Sequence, residues 1–392
     1  VIRVGVNLLF LVPGVVGGTE EYAVRLLGAW DAERGSASTE GIELVVFALP
    51  AFGRAHPDLA GRFEMHTAPV SGASKPLRVI AESTWLPLAA ARARVGLVHH
   101  VGGRIPVVGL VPSVMTLHDL QPLDLPQNFS TTKRRFLGWS IPRSLRRARA
   151  VMTVSEHVRR SAILRGADPR TASVVSAPAP APARAPAPTD LPSELLARLD
   201  RGAPFFVYPA IAYPHKNHAT LVRAFALAVQ RHPDALLILT GGPARNDTGA
   251  LARLIDELDL TTQIVALGRV ERPTLDWLLE RARALTFPSS YEGFGLPVVE
   301  AMAFGCPVIA ANAAALPEIV GDAGVLVPPH DVDAWAQALV DRLEDCPPRD
   351  ELAQLGYARL ARWTGPDMVT ALATAYRAAL AGPDRPARQD SP

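Results

Sequence analysis

Between residues 177 and 192 the chain reads APAPAPARAPAPTDLP. Neither a helix nor a central strand survives that many prolines, because each lacks a backbone N–H and fixes φ. The stretch is expected to be extended, either as a semi-rigid linker or as a disordered spacer, and in both cases it marks a domain boundary. At 392 residues the chain is also too long for one ordinary core. On each side of the boundary, short apolar, β-branched runs alternate with segments of helical periodicity. Candidate strands are 2–10, 43–49, 97–101, 113–117, 151–155 and 173–176 in the first half. In the second half they are 205–209, 235–240, 263–267, 284–288, 307–311 and 324–327. Continuous apolar strands separated by helices imply parallel sheets covered on both faces. The expected class is α/β, with two Rossmann-like doubly wound domains, 1–180 and 193–365, joined by a Pro/Ala-rich linker over 181–192. A helix over 366–381 and a disordered tail over 382–392 complete the reading.

With 48% hydrophobic and 20% charged residues, the chain has the balance of a globular protein. A net charge of +2 calls for no nucleic acid partner. Cys306 and Cys346 are too few for a disulfide framework and lack metal-ligand spacing, which fits a reducing, cytoplasmic compartment. Residues 4–16 are apolar but are interrupted by Asn7, Pro13 and Gly14 and lack a basic leader. They read as a buried strand and loop rather than a signal peptide. No run is long and apolar enough to span a bilayer.

The chemistry concentrates in residues 287–311, FPSSYEGFGLPVVEAMAFGCPVIAA. The order is strand, glycine-containing loop, short helix, strand. Gly293 and Gly295 allow close backbone approach to a ligand, and a helix opening at Pro297 aims its positive end at the loop. That arrangement suits a diphosphate. Glu292 lies in the loop, and Glu300 is expected in the first helical turn. Carboxylates beside an anion site suit the hydroxyls of a sugar and a ribose. Gly17–Gly18 separates the first strand from an amphipathic helix. His118 follows a strand at the C-terminal end, where ligands of open α/β sheets gather, although a histidine there can equally be a packed or capping residue.

These segments resemble glycosyltransferase family 4, a retaining family of GT-B fold also described as glycosyl transferases group 1. The spacing of Glu292 and Glu300 matches its Glu-x7-Glu signature. The resemblance implies two Rossmann-like domains facing each other across a cleft, with an acceptor-binding first domain and a nucleotide-sugar-binding second. It further implies that Glu292 contacts the transferred sugar and Glu300 the ribose. Amides around Phe294, Gly295, Leu296, Pro297 and Val298 would hold the diphosphate. Residues 208–217, YPAIAYPHKN, stand where the family has a phosphate-binding loop, with Lys216 neutralising the leaving diphosphate. Many members carry an arginine five residues earlier. Ile211 stands there instead, and Arg269 or backbone amides would have to compensate. Gly17 and Gly18 resemble the family's loop near the donor phosphate, and His118 its histidine near the sugar. Ser155 and Glu156 match a further element, though Ser155 serves equally as a helix N-cap. The helix over 366–381 would cross back to the first domain, and domain closure would assemble the site.

Asp331 and Asp333 mimic a metal-binding Asp-x-Asp but open a helix, so capping explains them and the reaction is read as needing no metal or other cofactor. The implied function is transfer of a mannosyl, glucosyl or GlcNAc-type group from a nucleotide sugar to a small-molecule, glycan or lipid-linked acceptor. Alternatives are a nucleotide-sugar epimerase, a phosphorylase or a non-catalytic nucleotide-binding scaffold. The basic segment 133–149, KRRFLGWSIPRSLRRAR, is interleaved with Phe136, Leu137, Trp139 and Ile141. It is either a solvated face with some core or a contact for an anionic membrane surface or a phosphorylated acceptor, and Pro142 is expected to break it.

Overall fold

The computed structural model describes residues 1–15, 17–181, 186–243 and 248–381. The expected tail over 382–392 and part of the proline-rich stretch lie outside these residues. Two compact units form among the described residues, one from residues 1–178 with 363–381 and the other from residues 179–362. The end of the proline-rich stretch is anchored to the second unit, where the Thr274 hydroxyl donates to Asp190 at 2.6 Å.

The first unit is built on seven parallel strands: β1 (Ile2–Asn7), β2 (Ile42–Ala48), β3 (Glu64–Thr67), β4 (Leu97–His100), β5 (Ser113–Leu117), β6 (Val151–Thr153) and β7 (Ala172–Val174). Their spatial order is β3-β2-β1-β4-β5-β6-β7, which is the doubly wound pattern, with the order reversing beside β1. Strand β3 escaped the sequence reading. It is an edge strand pairing with β2 alone, and its residues Glu-Met-His-Thr carry no apolar run because an edge is half solvated. The central strands are apolar on both faces: Val4, Val6, Val45 and Phe47 are fully buried, as coverage by helices on both sides requires.

Helix Gly365–Ala381 belongs to this first unit. Its apolar stripe, Met368, Leu372 and Tyr376, is buried, and it packs against helix Gly18–Ala32 with the Trp30 and Tyr376 rings 5.9 Å apart. The basic segment forms a continuous helix, Thr131–Arg147, through Pro142, so the expected break does not occur. Proline costs the bond to the Gly138 carbonyl. Burial of Ile141 and Leu145 holds the helix regardless. Ser144 adds a tie, its hydroxyl donating to the Ser140 carbonyl at 2.7 Å and accepting from the Ile105 amide at 3.0 Å.

Six parallel strands organise the second unit: β8 (Phe205–Pro209), β9 (Leu236–Thr240), β10 (Ile264–Gly268), β11 (Ala284–Phe287), β12 (Val308–Ala311) and β13 (Val325–Val327). Their order is β10-β9-β8-β11-β12-β13, with the reversal between β8 and β11. Helix Val332–Leu343 is capped by Asp331, whose carboxylate accepts from the Ala334 amide at 3.0 Å.

A buried pair of histidines is expected to make the first unit sensitive to acid. His99 bridges the Tyr376 and Thr116 hydroxyls, each at 2.8 Å. His100 contacts the Asn7 side-chain amide at 3.1 Å and the Ser113 hydroxyl at 3.3 Å. Desolvation holds both rings neutral, with their pKa pushed down to about 3. An unfolded histidine titrates near pH ~6.5, so the unfolded chain binds more protons below that value and folding stability declines with it. Urea unfolding of the first unit should therefore be hardest above about pH 6.5 and grow progressively easier as the pH falls toward 4. Midpoints measured at a series of pH values check this.

Candidate active site

Lys216, Arg269, Glu292, His118 and Gly17–Gly18 lie in segments that follow the C-terminal ends of parallel strands, the ligand-binding edge of an open α/β sheet, and Glu300 lies in the helix after one of them. In the second unit the site grows from the loops that follow β8 and β11, the two strands at the reversal of strand order. After β8 the chain makes a short 3-10 turn, Pro214–Lys216, and Asn217 then takes a left-handed conformation (φ 56°) before helix His218–Ala228. The Tyr208 hydroxyl donates to the Lys216 carbonyl at 2.6 Å. Ser290, beyond β11, donates through its amide and its hydroxyl to the His215 carbonyl at 2.8 and 3.1 Å. The Asn217 amide group donates to the Pro288 carbonyl at 3.3 Å. These bonds sew the two loops together and fix the direction of the Lys216 side chain.

That side chain meets Glu292, with Nζ 2.5 Å from Oε1. Both groups are mostly shielded from solvent, and the Lys216 ammonium also lies 5.6 Å from the centre of the Phe287 ring. A cation and an anion placed this close, in a partly desolvated loop, can each engage a different part of one ligand. A phosphate would take the ammonium and hydroxyls would take the carboxylate.

Gly295 precedes helix Leu296–Ala303 with φ 104°. A Cβ there would press on the end of the Leu316 side chain at 2.9 Å, which can give way, so it is the backbone angle that calls for glycine. The expected amide cradle is narrower than the sequence suggests. Pro297 has no N–H to give, and the Val298 amide donates to the Gly295 carbonyl at 2.9 Å. Glu300 falls in the second turn of the helix rather than the first, because the helix begins at Leu296. It is buried, and Arg272 meets its Oε1 at 2.9 Å. Sequence reading passed over Arg272, which stands three residues after the arginine it weighed. The only signal was its position at the start of helix Arg272–Arg281.

Arg269 follows β10, and Ile211, at the position many relatives give to arginine, is exposed after β8. The Gly241–Gly242 turn after β9 lies between them. The Ala212 amide donates to the Gly242 carbonyl at 3.1 Å and the Gly241 amide to the Gly268 carbonyl at 2.7 Å. A Cβ on Gly241 would collide with the Ala210 backbone at 2.7 Å. The glycine pair thus lets the loops carrying Ile211 and Arg269 converge. His215 and His218, also unremarked in the sequence, are held neutral mainly by burial, each with its pKa down to about 4.

In the first unit, Gly17 begins helix Gly18–Ala32 with φ 53° and ψ −119°. Nothing crowds a Cβ there, so glycine is required by the backbone angle alone. His118 follows β5, and its Nε2 lies 2.8 Å from the Val101 carbonyl. A carbonyl only accepts, so Nε2 carries the proton and Nδ1 of the neutral ring is the acceptor. Desolvation keeps the ring neutral, with its pKa down to about 4. The Tyr22 ring meets it edge-on at 4.9 Å, which ties His118 to the helix that starts at Gly17–Gly18. Asp119 accepts from the Gln121 amide at 3.0 Å, and Ser155 caps helix Glu156–Leu164 through the Val158 amide.

Residues 197–359 match the family model for glycosyl transferases group 1, and residues 16–179 match that for Glycosyltransferase Family 4. The O-antigen chain mannosyltransferase B of Escherichia coli is 31% identical over 273 residues, covering 68% of this chain and 70% of that protein. A D-inositol 3-phosphate glycosyltransferase of Mycolicibacterium paratuberculosis is 30% identical over 159 residues, spanning 39% of this chain and 36% of that one. Among solved structures, the sucrose-phosphate synthase of Thermosynechococcus elongatus superposes with a TM-score of 0.75 at 20% identity, covering 97% of this chain and 100% of that one. Anabaena HepE in complex with UDP-glucose does so with a TM-score of 0.73 at 20% identity, covering 96% and 100%. These two share the fold. The chain belongs to glycosyltransferase family 4, and it is a hexosyltransferase with the GT-B fold.

Proposed function

We propose that the chain transfers a mannosyl, glucosyl or GlcNAc-type group from a nucleoside-diphosphate sugar, with retention of configuration and without a divalent metal, to a glycan or lipid-linked acceptor. The observation that carries this reading is the Lys216–Glu292 pair at 2.5 Å, a cation for the diphosphate beside an anion for the sugar. Its similarity to an O-antigen mannosyltransferase favours a cytoplasmic enzyme acting on a lipid-linked glycan, with peripheral membrane contact through 133–149.

In the proposed step the bond from the anomeric carbon to the diphosphate oxygen breaks, and the acceptor hydroxyl forms the new bond on the same face. The acceptor proton passes to the departing phosphate oxygen. Lys216 and Arg269 stabilise the charge that develops on the diphosphate, Glu292 orients the sugar, and Glu300 receives the ribose hydroxyls. His118 offers a neutral Nδ1 to a hydroxyl of the transferred sugar rather than a proton.

Steady-state kinetics separate these roles. Lys216→Ala and Glu292→Ala should each lower kcat by about 10²–10³-fold. Glu300→Ala should instead raise the donor KM by roughly tenfold with a smaller loss of kcat. Wild-type kinetics in all three would end the assignment. Activity should also persist after exhaustive treatment with EDTA, because Lys216 supplies the charge a metal would otherwise provide. Activity abolished by EDTA and restored by Mg²⁺ or Mn²⁺ would contradict the metal-free reading.

A further inference from the structure

The first unit carries a cationic, apolar surface that neither the sheet nor the site uses. From residue 125 to residue 155 the chain holds seven Lys or Arg and no Asp or Glu, although the whole chain is nearly neutral at +2. Lys133, Arg134, Arg135, Arg146 and Arg147 of helix Thr131–Arg147 are exposed. Trp139 of the same helix is 53% exposed, and Phe136 stands beside it with ring centres 6.5 Å apart. Soluble surfaces seldom leave a tryptophan bare among cations without a partner to receive it.

The helix does not act alone. The segment between β4 and β5 packs onto it and exposes Val107, Val108 and Leu110, the last to 61%. Arg143 and Arg147 both donate to the Val107 carbonyl, at 3.0 and 2.8 Å, while the Arg143 guanidinium lies 5.5 Å from the Trp139 ring centre. On the other side, Arg104 pairs with the buried Glu82 and stacks 5.5 Å from the Phe136 ring centre. The valine loop is thereby clamped against the aromatic residues by the arginines themselves. The segment 83–118, which includes this loop, also contains no acidic residue. At the helix start, Lys75 of the neighbouring helix Lys75–Arg92 lies near enough to Lys133 to help depress its pKa, after burial. Asp119 partly offsets both effects.

We infer that this face docks on an anionic lipid bilayer, with Val107, Val108 and Leu110 entering the acyl boundary, Trp139 and Phe136 at headgroup depth, and the helix cations on the phosphates. It rests on the membrane contact proposed above and extends it from one helix to a composite wedge. Charge complementarity selects the occupant: a neutral apolar protein partner would leave the arginines uncompensated, whereas an anionic headgroup layer over an acyl region satisfies both halves of the face. Among the described residues no helix is long and apolar enough to cross a membrane.

The test is co-sedimentation of the full chain with vesicles of phosphatidylcholine alone or mixed with phosphatidylglycerol. Binding should be at least about tenfold tighter to the anionic vesicles and should collapse when salt rises from about 0.1 M to 0.5 M. The Val107→Asp/Val108→Asp pair and the Arg134→Gln/Arg135→Gln pair should each lose about tenfold in vesicle affinity, with unchanged circular dichroism and melting temperature. Equal binding to both vesicle types, or variants that bind like wild type, would overturn the inference. So would light scattering that shows these substitutions abolishing a dimer while vesicles are ignored. Because neither donor nor acceptor enters the measurement, its failure would leave the transferase reading standing.

Discussion

The second unit depends on one juxtaposition, the meeting of the loops after β8 and β11 at the point where strand order reverses. Parallel strands that diverge in connection leave a crevice at their C-terminal ends, and this chain closes its floor with hydrogen bonds from Tyr208, Ser290 and Asn217. Lys216 and Glu292 then face each other across the seam. Neither loop could hold its charged group in that position alone. A lysine has four rotatable bonds and loses considerable freedom when fixed. Here its backbone is pinned by Tyr208 at the carbonyl, so the orientation cost falls on folding rather than on binding. Glu300 is handled in the same way, buried in a helix turn and met by Arg272.

The first unit solves a different problem, that of keeping polar groups neutral and directed inside an apolar sheet. His99, His100 and His118 lie on or after adjacent central strands, and each is bonded through a ring nitrogen to a fixed partner. The C-terminal helix takes part, since the Tyr376 hydroxyl is one of those partners. A segment 277 residues distant in sequence therefore completes the polar layer beneath the strand ends. His118 inherits a defined tautomer from the Val101 carbonyl, which leaves Nδ1 as its only acceptor.

How much of this the sequence discloses follows from what leaves a local trace. The doubly wound sheets were legible because parallel strands covered by helices carry apolar runs, and among the described residues twelve of the thirteen strands do so. Strand β3 does not, because its edge position frees it to be polar. The loop glycines and the Glu292–Glu300 spacing were legible as a motif. Placing Glu300 by turn was not, because a one-residue shift of the helix start past Gly295 moves it from the first turn to the second. Arg272 was invisible, since its partner Glu300 lies 28 residues further along the chain; His215 and His218 meet near neighbours, Tyr213 and Tyr208, but no motif or period marks them. Pro142 misled for a related reason: its local penalty is real, but tertiary burial of Ile141 and Leu145 outweighs it.

The most direct test of the central claim, that the seam between the β8 and β11 loops is a nucleoside-diphosphate site, is isothermal titration of the full chain with UDP, GDP, ADP and dTDP in metal-free buffer. Lys216 opposite Glu292 predicts saturable binding of one of them with a dissociation constant on the order of micromolar. It also predicts affinity that falls steeply for the matching nucleoside monophosphate, which lacks the terminal phosphate Lys216 would hold. No detectable heat with any of the four at millimolar concentration, or equal affinity for the mono- and diphosphate, would contradict it.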